Sequence, residues 1–403
     1  MAAMHGLGIC RSSRHLGMMP ESPTLHVHSA MADIPAAQWD ECAGTENPFI
    51  HHAFLDAMER SGSATAKTGW LARHLVVRSG DGRILAAAPL YLKSHSYGEY
   101  VFDWTWAEAY EKAGGRYYPK LQCAIPFTPV TGTRLLTHPG EEPEPLRRLL
   151  AAGLVEVARQ AGAGSIHVTF PTEEEYQSLG EQGFLQRLGC QYHWRNDGYG
   201  SFEDFLAALS SRKRKAIRKE RDAIARQDIT LTTLVGADVK ARHWDVFHRF
   251  YQNVVDRKWG KAYVNRAFFE ELSASSLGSK VVLVWAESDG LPLGAAFNML
   301  GGDTLYGRTW GGGRQVEYLH FEACYYRAID FAIAHGLARV EAGAQGEHKV
   351  SRGYLPTPTY SAHWIADPGF KTVVGRFLDH ERPLVQDDIA EQEAAGPFRQ
   401  HQI

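Results

Sequence analysis

The stretches HLVVRSGDGRILAAAPLYL, residues 74–92, and VVLVWAESDGLPLGAAFNML, residues 281–300, decide the fold. Each is an apolar run, an Asp-Gly pair and a second apolar run, which is the pattern of a β-hairpin closed by a short turn. Each is followed by a helical pattern and a short strand. In the first half these are EPLRRLLAAGLVEVARQAGA (144–163) and SIHVTF (165–170); in the second they are HFEACYYRAIDFAIAHGL (320–337) and ARVEAGA (338–344). The same order twice predicts a tandem duplication of one hairpin, helix and strand unit, hence an α/β chain with a mixed sheet.

A length of 403 residues suits two domains. The expected organisation is a disordered tail over 1–24, a first domain over 25–198 and a second over 199–403. The Asp-Gly turns at 81 and 289 lie 208 residues apart, whereas the glycines that end the helices, Gly162 and Gly336, lie 174 apart. The first copy therefore carries 34 extra residues between hairpin and helix, within 99–135, rich in Trp, Tyr, Gly and Pro. A long aromatic insertion of this kind reads as a binding loop, or as a cover over a sheet edge.

Hydrophobic residues make up 44% of the chain and charged ones 22%, the range of a folded globular protein. A net charge of −3 supplies no global field for nucleic acid or anionic membrane. The five cysteines are scattered without a CxxC pair, which points to free thiols in a reducing cytoplasm. The start lacks the continuous apolar core of a secretory signal, and nowhere do 18 predominantly apolar residues run together, so no transmembrane segment is expected.

Local charge is more informative. SSRKRKAIRKERDAIARQDITL, 210–231, reads as a helix on which Arg214, Arg218 and Arg221 share a face at spacings of four and three. Such a face is either an anion site or a solvated surface. Gly311-Gly312-Gly313 precede a helix start near Leu319 but match neither common phosphate-loop pattern, so they read equally as a flexible turn. His320, Glu322 and Cys324, two apart on a helix, face different ways and predict no metal site.

The strand ARVEAGA runs into QGEHKVSRGYLP, placing Gln345, Glu347, His348 and Lys349 at its C-terminal end, where α/β sheets commonly present ligand sites. His348 and Glu347 are possible proton acceptors, Lys349 and Arg352 anion clamps, and Tyr354 a donor or stacking surface. The alternative is a buried ion-pair cluster joining strand to loop.

At these residues a family pattern is visible. LYGRTWGG (305–312), LHFEACYYRAIDFAIAHGL (319–337) and EAGAQGEHKVSRGYLPTPTYSAHW (341–364) resemble blocks of the FemAB-like family, as do DWTWAEAY (103–110), YYPKLQCAIPFTPVTG (117–132) and RKRKAIRKERD (212–222). The resemblance spans about residues 25–400. It implies two fused GNAT-like acetyltransferase folds of the Fem type. It also implies transfer to an amine, either of an aminoacyl group from tRNA to a peptidoglycan precursor or of an acetyl group from acetyl-CoA. The loop GGGRQVEYLH departs from the usual GNAT pyrophosphate-binding pattern. The likeness of the basic helix to the Lys/Arg-rich opening of the second Fem domain carries an anion-binding role to Lys213, Arg214 and Arg218.

The expected reaction is direct attack of an amine on a thioester or ester carbonyl. His348 or Glu347 would act as base; Tyr306, Arg308 and Tyr354 would line the carbonyl site; Asp103, Trp104 and Lys120 would close the acceptor groove. Acyl-CoA or aminoacyl-tRNA would be the donor, a small-molecule or peptide amine the acceptor, and the location cytoplasmic, with no tightly bound cofactor and no metal. The competing expectation is a non-catalytic module that binds a nucleotide-linked or envelope precursor.

Overall fold

The computed structural model of the protein describes residues 22–257, 260, 262–343 and 346–399, the side chain of Glu347 excepted. Residues 1–21 of the expected tail lie outside this range, and Thr24 already opens a strand. In chain order the strands are β1 (Thr24–His28), β2 (Trp70–Ala72), β3 (His74–Arg78), β4 (Ile84–Ala88), β5 (Leu90–Lys93), β6 (Lys120–Cys123), β7 (Leu136–Thr137) and β8 (Ser165–Thr169). They continue as β9 (Leu185–Arg195), β10 (Thr230–Val235), β11 (Val281–Ser288), β12 (Leu291–Gly301), β13 (Thr304–Gly312), β14 (Arg339–Glu341) and β15 (Leu355–Ile365).

Both hairpins form, each with its own turn chemistry. Asp289 and Gly290 both take positive φ, 50° and 72°, as a two-residue turn joining β11 to β12 requires. The first hairpin closes through a wider turn, the Ser79 N–H donating to the Arg83 carbonyl at 3.0 Å. Its second arm breaks at Pro89, which has no N–H for a ladder: β4 stays in a four-stranded sheet of order β1-β3-β4-β7, and β5 crosses into the large sheet.

The large sheet has eleven strands in the order β10-β11-β12-β13-β14-β9-β15-β8-β6-β5-β2. β8 and β14, the strands that follow the helix in each half, pair in parallel with β6 and β13. On their other side the halves exchange strands. The last strand of the first half, β9, lies against β14, while β15 from the second half lies against β8, and β9 and β15 pair with each other from Leu355↔His193 to His363↔Leu185. The boundary expected at 198/199 therefore divides the chain but not the sheet. Nor does it divide the core, since one apolar cluster joins Trp39, Phe54 and Trp70 to Trp244, Phe269 and Phe297.

Helices cover both faces. The helix Pro143–Ala161 buries Leu146, Leu150, Leu154 and Val157, an i, i+4, i+4, i+3 stripe, and ends at Gly162 with φ 63°, a left-handed cap that favours glycine. Its counterpart runs from Leu319 to Ala334, interrupted by a π-helical turn over Glu322–Tyr326. Such turns insert an extra residue and re-aim neighbouring side chains. The long helix Pro368–Ala394 packs on β9 and β15. Among the described residues no helix is long and apolar enough to cross a membrane.

Candidate active site

The site begins where β13 and β14 part. Their parallel pairing covers only Thr304–Tyr306 against Arg339–Glu341; β14 ends there and β13 runs on to Gly312. On its other side β13 carries a bulge: Asn298 pairs with Gly307 and Phe297 with Thr309, leaving Arg308 as the extra residue. A bulge bends the strand and redirects the side chain it carries. Asn298 holds the distortion by donating from Nδ2 to the Val282 and Ala296 carbonyls at 3.2 and 3.0 Å.

Three cavities meet at this point, and Arg308 and Thr309 line all of them. The largest, an open cleft of about 710 Å³, is walled by Tyr100, Phe102 and Trp104 of the insertion, Tyr251, Tyr263, Trp310 and His320. A smaller one of about 100 Å³ lies in the strand split, against Asn298, Gly307, Cys324, Tyr325 and Ala342. Tyr325 sits on the π-helical turn, and its hydroxyl lies 3.0 Å from His348 Nε2. Burial and the nearby Arg352 and Lys349 charges hold the His348 imidazole below its ordinary pKa, so it is a neutral proton acceptor at pH 7. Burial pushes the Cys324 thiol far up, which removes it as a nucleophile.

The insertion reaches the cleft because its alternate side chains are pinned beneath it. Gly98, Tyr100, Phe102 and Trp104 face the cleft, whereas Glu99 and Asp103 are buried against Lys120. Lys120 Nζ donates to Glu99 Oε2 at 2.7 Å, to Ser96 Oγ at 2.8 Å and to Asp103 Oδ2. Lys93, over the Trp70 ring at 3.8 Å, completes the cluster; burial lowers its pKa to about 7 and raises that of Glu99 to about 7. Of the three residues expected to close an acceptor groove, Trp104 lines the cleft, but Asp103 and Lys120 are locked in this buried pair and anchor the strap instead.

The strand-end residues also divide. Lys349 is buried, and its Nζ donates to the Ala342 and Gly343 carbonyls at 2.6 and 3.0 Å. Arg352 lies against the Phe321 ring and donates to both Glu220 oxygens at 2.7 and 3.1 Å. Both are engaged by the fold, Arg352 in the ion pair that the alternative reading expected and Lys349 by backbone carbonyls alone. Tyr354 is fully buried and gives its hydroxyl to the Tyr325 carbonyl at 3.0 Å; it positions Tyr325 rather than lining a carbonyl site. Tyr306 is buried edge-on against Phe49 at 5.3 Å. Gln345 and the Glu347 side chain lie outside the described residues.

The basic face also comes apart. Arg221 turns inward to Glu322 and Asp330 at 3.1 and 2.7 Å, and Arg218 pairs with Glu203 at 2.5 Å on the surface. Lys213 and Arg214 are half-exposed. The double replacement Arg214→Glu, Arg218→Glu should change stability by less than about 1 kcal/mol, because the pair it breaks is exposed. An anion site on this helix would make the same replacement weaken salt-dependent binding of a polyanion such as tRNA; equal affinity at low and high salt would return the helix to a solvated surface.

Two contributors went unnoticed in the sequence. Tyr325 lies in the repeat-unit helix, where nothing in the local pattern sets its hydroxyl apart from that of Tyr326. Glu341 ends β14 with its carboxylate 3.7 Å from Arg339 Nε and 3.8 Å from His193 Nε2, and burial raises its pKa to about 7. Its Oε2 is buried without a hydrogen-bond partner.

The family model for peptidoglycan biosynthesis and recognition, FemAB-like, matches residues 30–400, nearly the whole chain. The chain belongs to the FemAB-like family. Its fold is similar to that of FemX, at TM-score 0.55 and 12% identity over 88% of this chain and 100% of that one. It is similar to the C-terminal DUF2156 domain of an Agrobacterium fabrum protein (0.54, 9%, 87% and 97%) and to L-PGS from Bacillus licheniformis (0.50, 10%, 83% and 98%). A search of curated protein sequences finds no match. The FemAB-like chain thus has the duplicated α/β architecture with a mixed sheet that the paired hairpins implied, in a fold similar to that of FemX.

Proposed function

We propose that this FemAB-like protein transfers an acyl or aminoacyl group to an amine at the β13–β14 split, in peptidoglycan or envelope synthesis. The observation that carries the reading is the coincidence of strand split, bulge and cleft at Arg308, with Tyr325, the hydrogen-bond partner of His348, on the same small cavity. The open edge of β13 suits a donor with extended amide groups, which can add to it as another strand would. The amine nitrogen attacks the donor carbonyl carbon, forming the C–N bond. An oxyanion develops on the carbonyl oxygen, and the N–H of the bulged residue, outside the ladder, is the donor proposed for it. The nitrogen's proton passes through the Tyr325 hydroxyl to His348; the bond to the leaving sulfur or oxygen then breaks, and that atom takes the proton.

Acyl-CoA and aminoacyl-tRNA are the donors proposed, and a cytoplasmic location follows from them. The test is thermal stabilisation by acetyl-CoA, CoA, aminoacyl-tRNA and uridine-diphosphate-linked peptidoglycan precursors, with mass-spectrometric detection of the transferred group. A true ligand at about 100 times its Kd adds about 2.7 kcal/mol. Stabilisation without transfer from any donor would reject the enzyme reading in favour of a binding module.

A further inference from the structure

We infer that the acceptor bound in the 710 Å³ cleft carries a carboxylate, held by Arg308, on an aromatic or similarly flat apolar body. The word acceptor rests on the transfer reading above; the carboxylate does not.

The argument is one of missing counter-charge. The cleft's described lining contains one charged side chain, Arg308, and no carboxylate. Its guanidinium gives a single hydrogen bond, Nη2 to the Phe127 carbonyl at 2.9 Å, and burial depresses its pKa. Other arginines drawn into the fold are matched. Arg134 donates to the Val130, Gly132, Thr133 and Thr169 carbonyls; Arg187 pairs with Glu381, Arg221 with Glu322 and Asp330, and Arg352 with Glu220. Glu341 is the acid whose charge Arg308 feels, but among the described residues no carboxylate lies within ion-pair distance of the guanidinium. A partly desolvated cation so placed is costly, and the fork that Arg308 leaves open fits a carboxylate in the bidentate manner.

Charge balance selects the anion. One guanidinium neutralises a monoanion, whereas a phosphate monoester would retain uncompensated charge in a cleft with no second cation among its described residues. The walls select the rest of the molecule. Tyr100, Phe102, Trp104, Tyr251, Tyr263 and Trp310 present ring faces and edges, and the Phe127 ring stacks on Tyr263 at 5.1 Å with planes 8° apart. Such walls suit a planar or apolar body. An α-amino acid with an aromatic side chain combines both features with a nucleophilic nitrogen; its carboxylate is unchanged while its nitrogen gains the acyl carbon and loses a proton.

The experiment measures binding of N-acetyl-L-phenylalanine, its carboxamide, N-acetylglycine and phenyl phosphate to wild-type, Arg308→Met and Arg308→Lys proteins. Wild type should prefer the acid over the carboxamide by at least about tenfold. It should bind N-acetylglycine more weakly than the phenylalanine compound, and phenyl phosphate no more tightly. The acid preference should vanish in Arg308→Met and return in part in Arg308→Lys. Equal affinity for acid and carboxamide in wild type, no saturable binding of either carboxylate, tighter phosphate binding, or an intact preference in Arg308→Met would each overturn the inference. Folding of the variants is checked by circular dichroism, and the wild-type comparison stands without them. Acid preference without any acyl transfer would sink the transfer reading alone, and transfer without the preference would sink this one alone.

Discussion

Replacing His348 by alanine is expected to lower turnover by about 10²–10⁴-fold, the range for loss of a positioned general base. The imidazole is the neutral partner of Tyr325, and Tyr325 is the titratable hydroxyl that reaches the cavity in the strand split. Tyr325→Phe should lose a similar factor, and the double variant little more than either single one, because both remove one proton path. The pH dependence has a definite sign. A histidine with a lowered folded-state pKa stays neutral below the ordinary 6.5, so activity should hold through that value and fall only at lower pH. Protonation of His348 should weaken the fold in the same acid range. Wild-type turnover in a purified His348→Ala protein would remove the residue from this role. Glu341→Gln then becomes informative, since Glu341 is the other nearby acid whose pKa, about 7, suits proton transfer.

The second large effect is on stability. Lys120→Met should cost about 3–5 kcal/mol, because it leaves the Glu99 and Asp103 carboxylates buried beside one another. Lys93→Met should cost distinctly less: its ammonium sits 3.8 Å from the nearest Glu99 oxygen, and burial has already brought its pKa to about 7. Glu99, raised to about 7, contributes stability that is full below its unfolded value near 4.5 and is lost as pH rises through 7. Lys93, lowered to about 7, contributes in the opposite sense, losing stability as pH falls through 7. The two act over different windows, Glu99 between about 4.5 and 7 and Lys93 between about 7 and 10.5, so Lys93→Met should keep the decline in urea stability as pH rises from about 4.5 to 7 and lose the recovery above it. A flat profile in that variant, or equal losses for both lysine replacements, would contradict this account of the cluster.

How far the sequence reached depended on the range of the interaction. The hairpins, the helix ending at Gly162 and the helix-following strands are set by periodicity and turn residues within a few positions, and these were legible. The exchange of β9 and β15 was not, because their nine paired positions are far apart in sequence and no local pattern names a strand's partner. The site divides in the same way. Residues at a strand end could be named as polar, but not sorted into those that face a cavity and those that satisfy the fold: Arg352 and Lys349 went to Glu220 and to backbone carbonyls. The bulge at Arg308 had a faint local sign, Asn298 interrupting an otherwise apolar strand. The burial of Asp103 and Lys120 against each other had none, since only the folded insertion brings them together.

The reciprocal placement of β9 and β15 bears on how such a chain can change by recombination. A crossover near residue 198 between two related genes would take β9 from one parent and its neighbours β14 and β15 from the other. Such hybrids must match across both seams at the centre of the sheet, where a slip of one residue turns every side chain to the opposite face. Although the chain reads as one unit written twice, its two copies are constrained to diverge together.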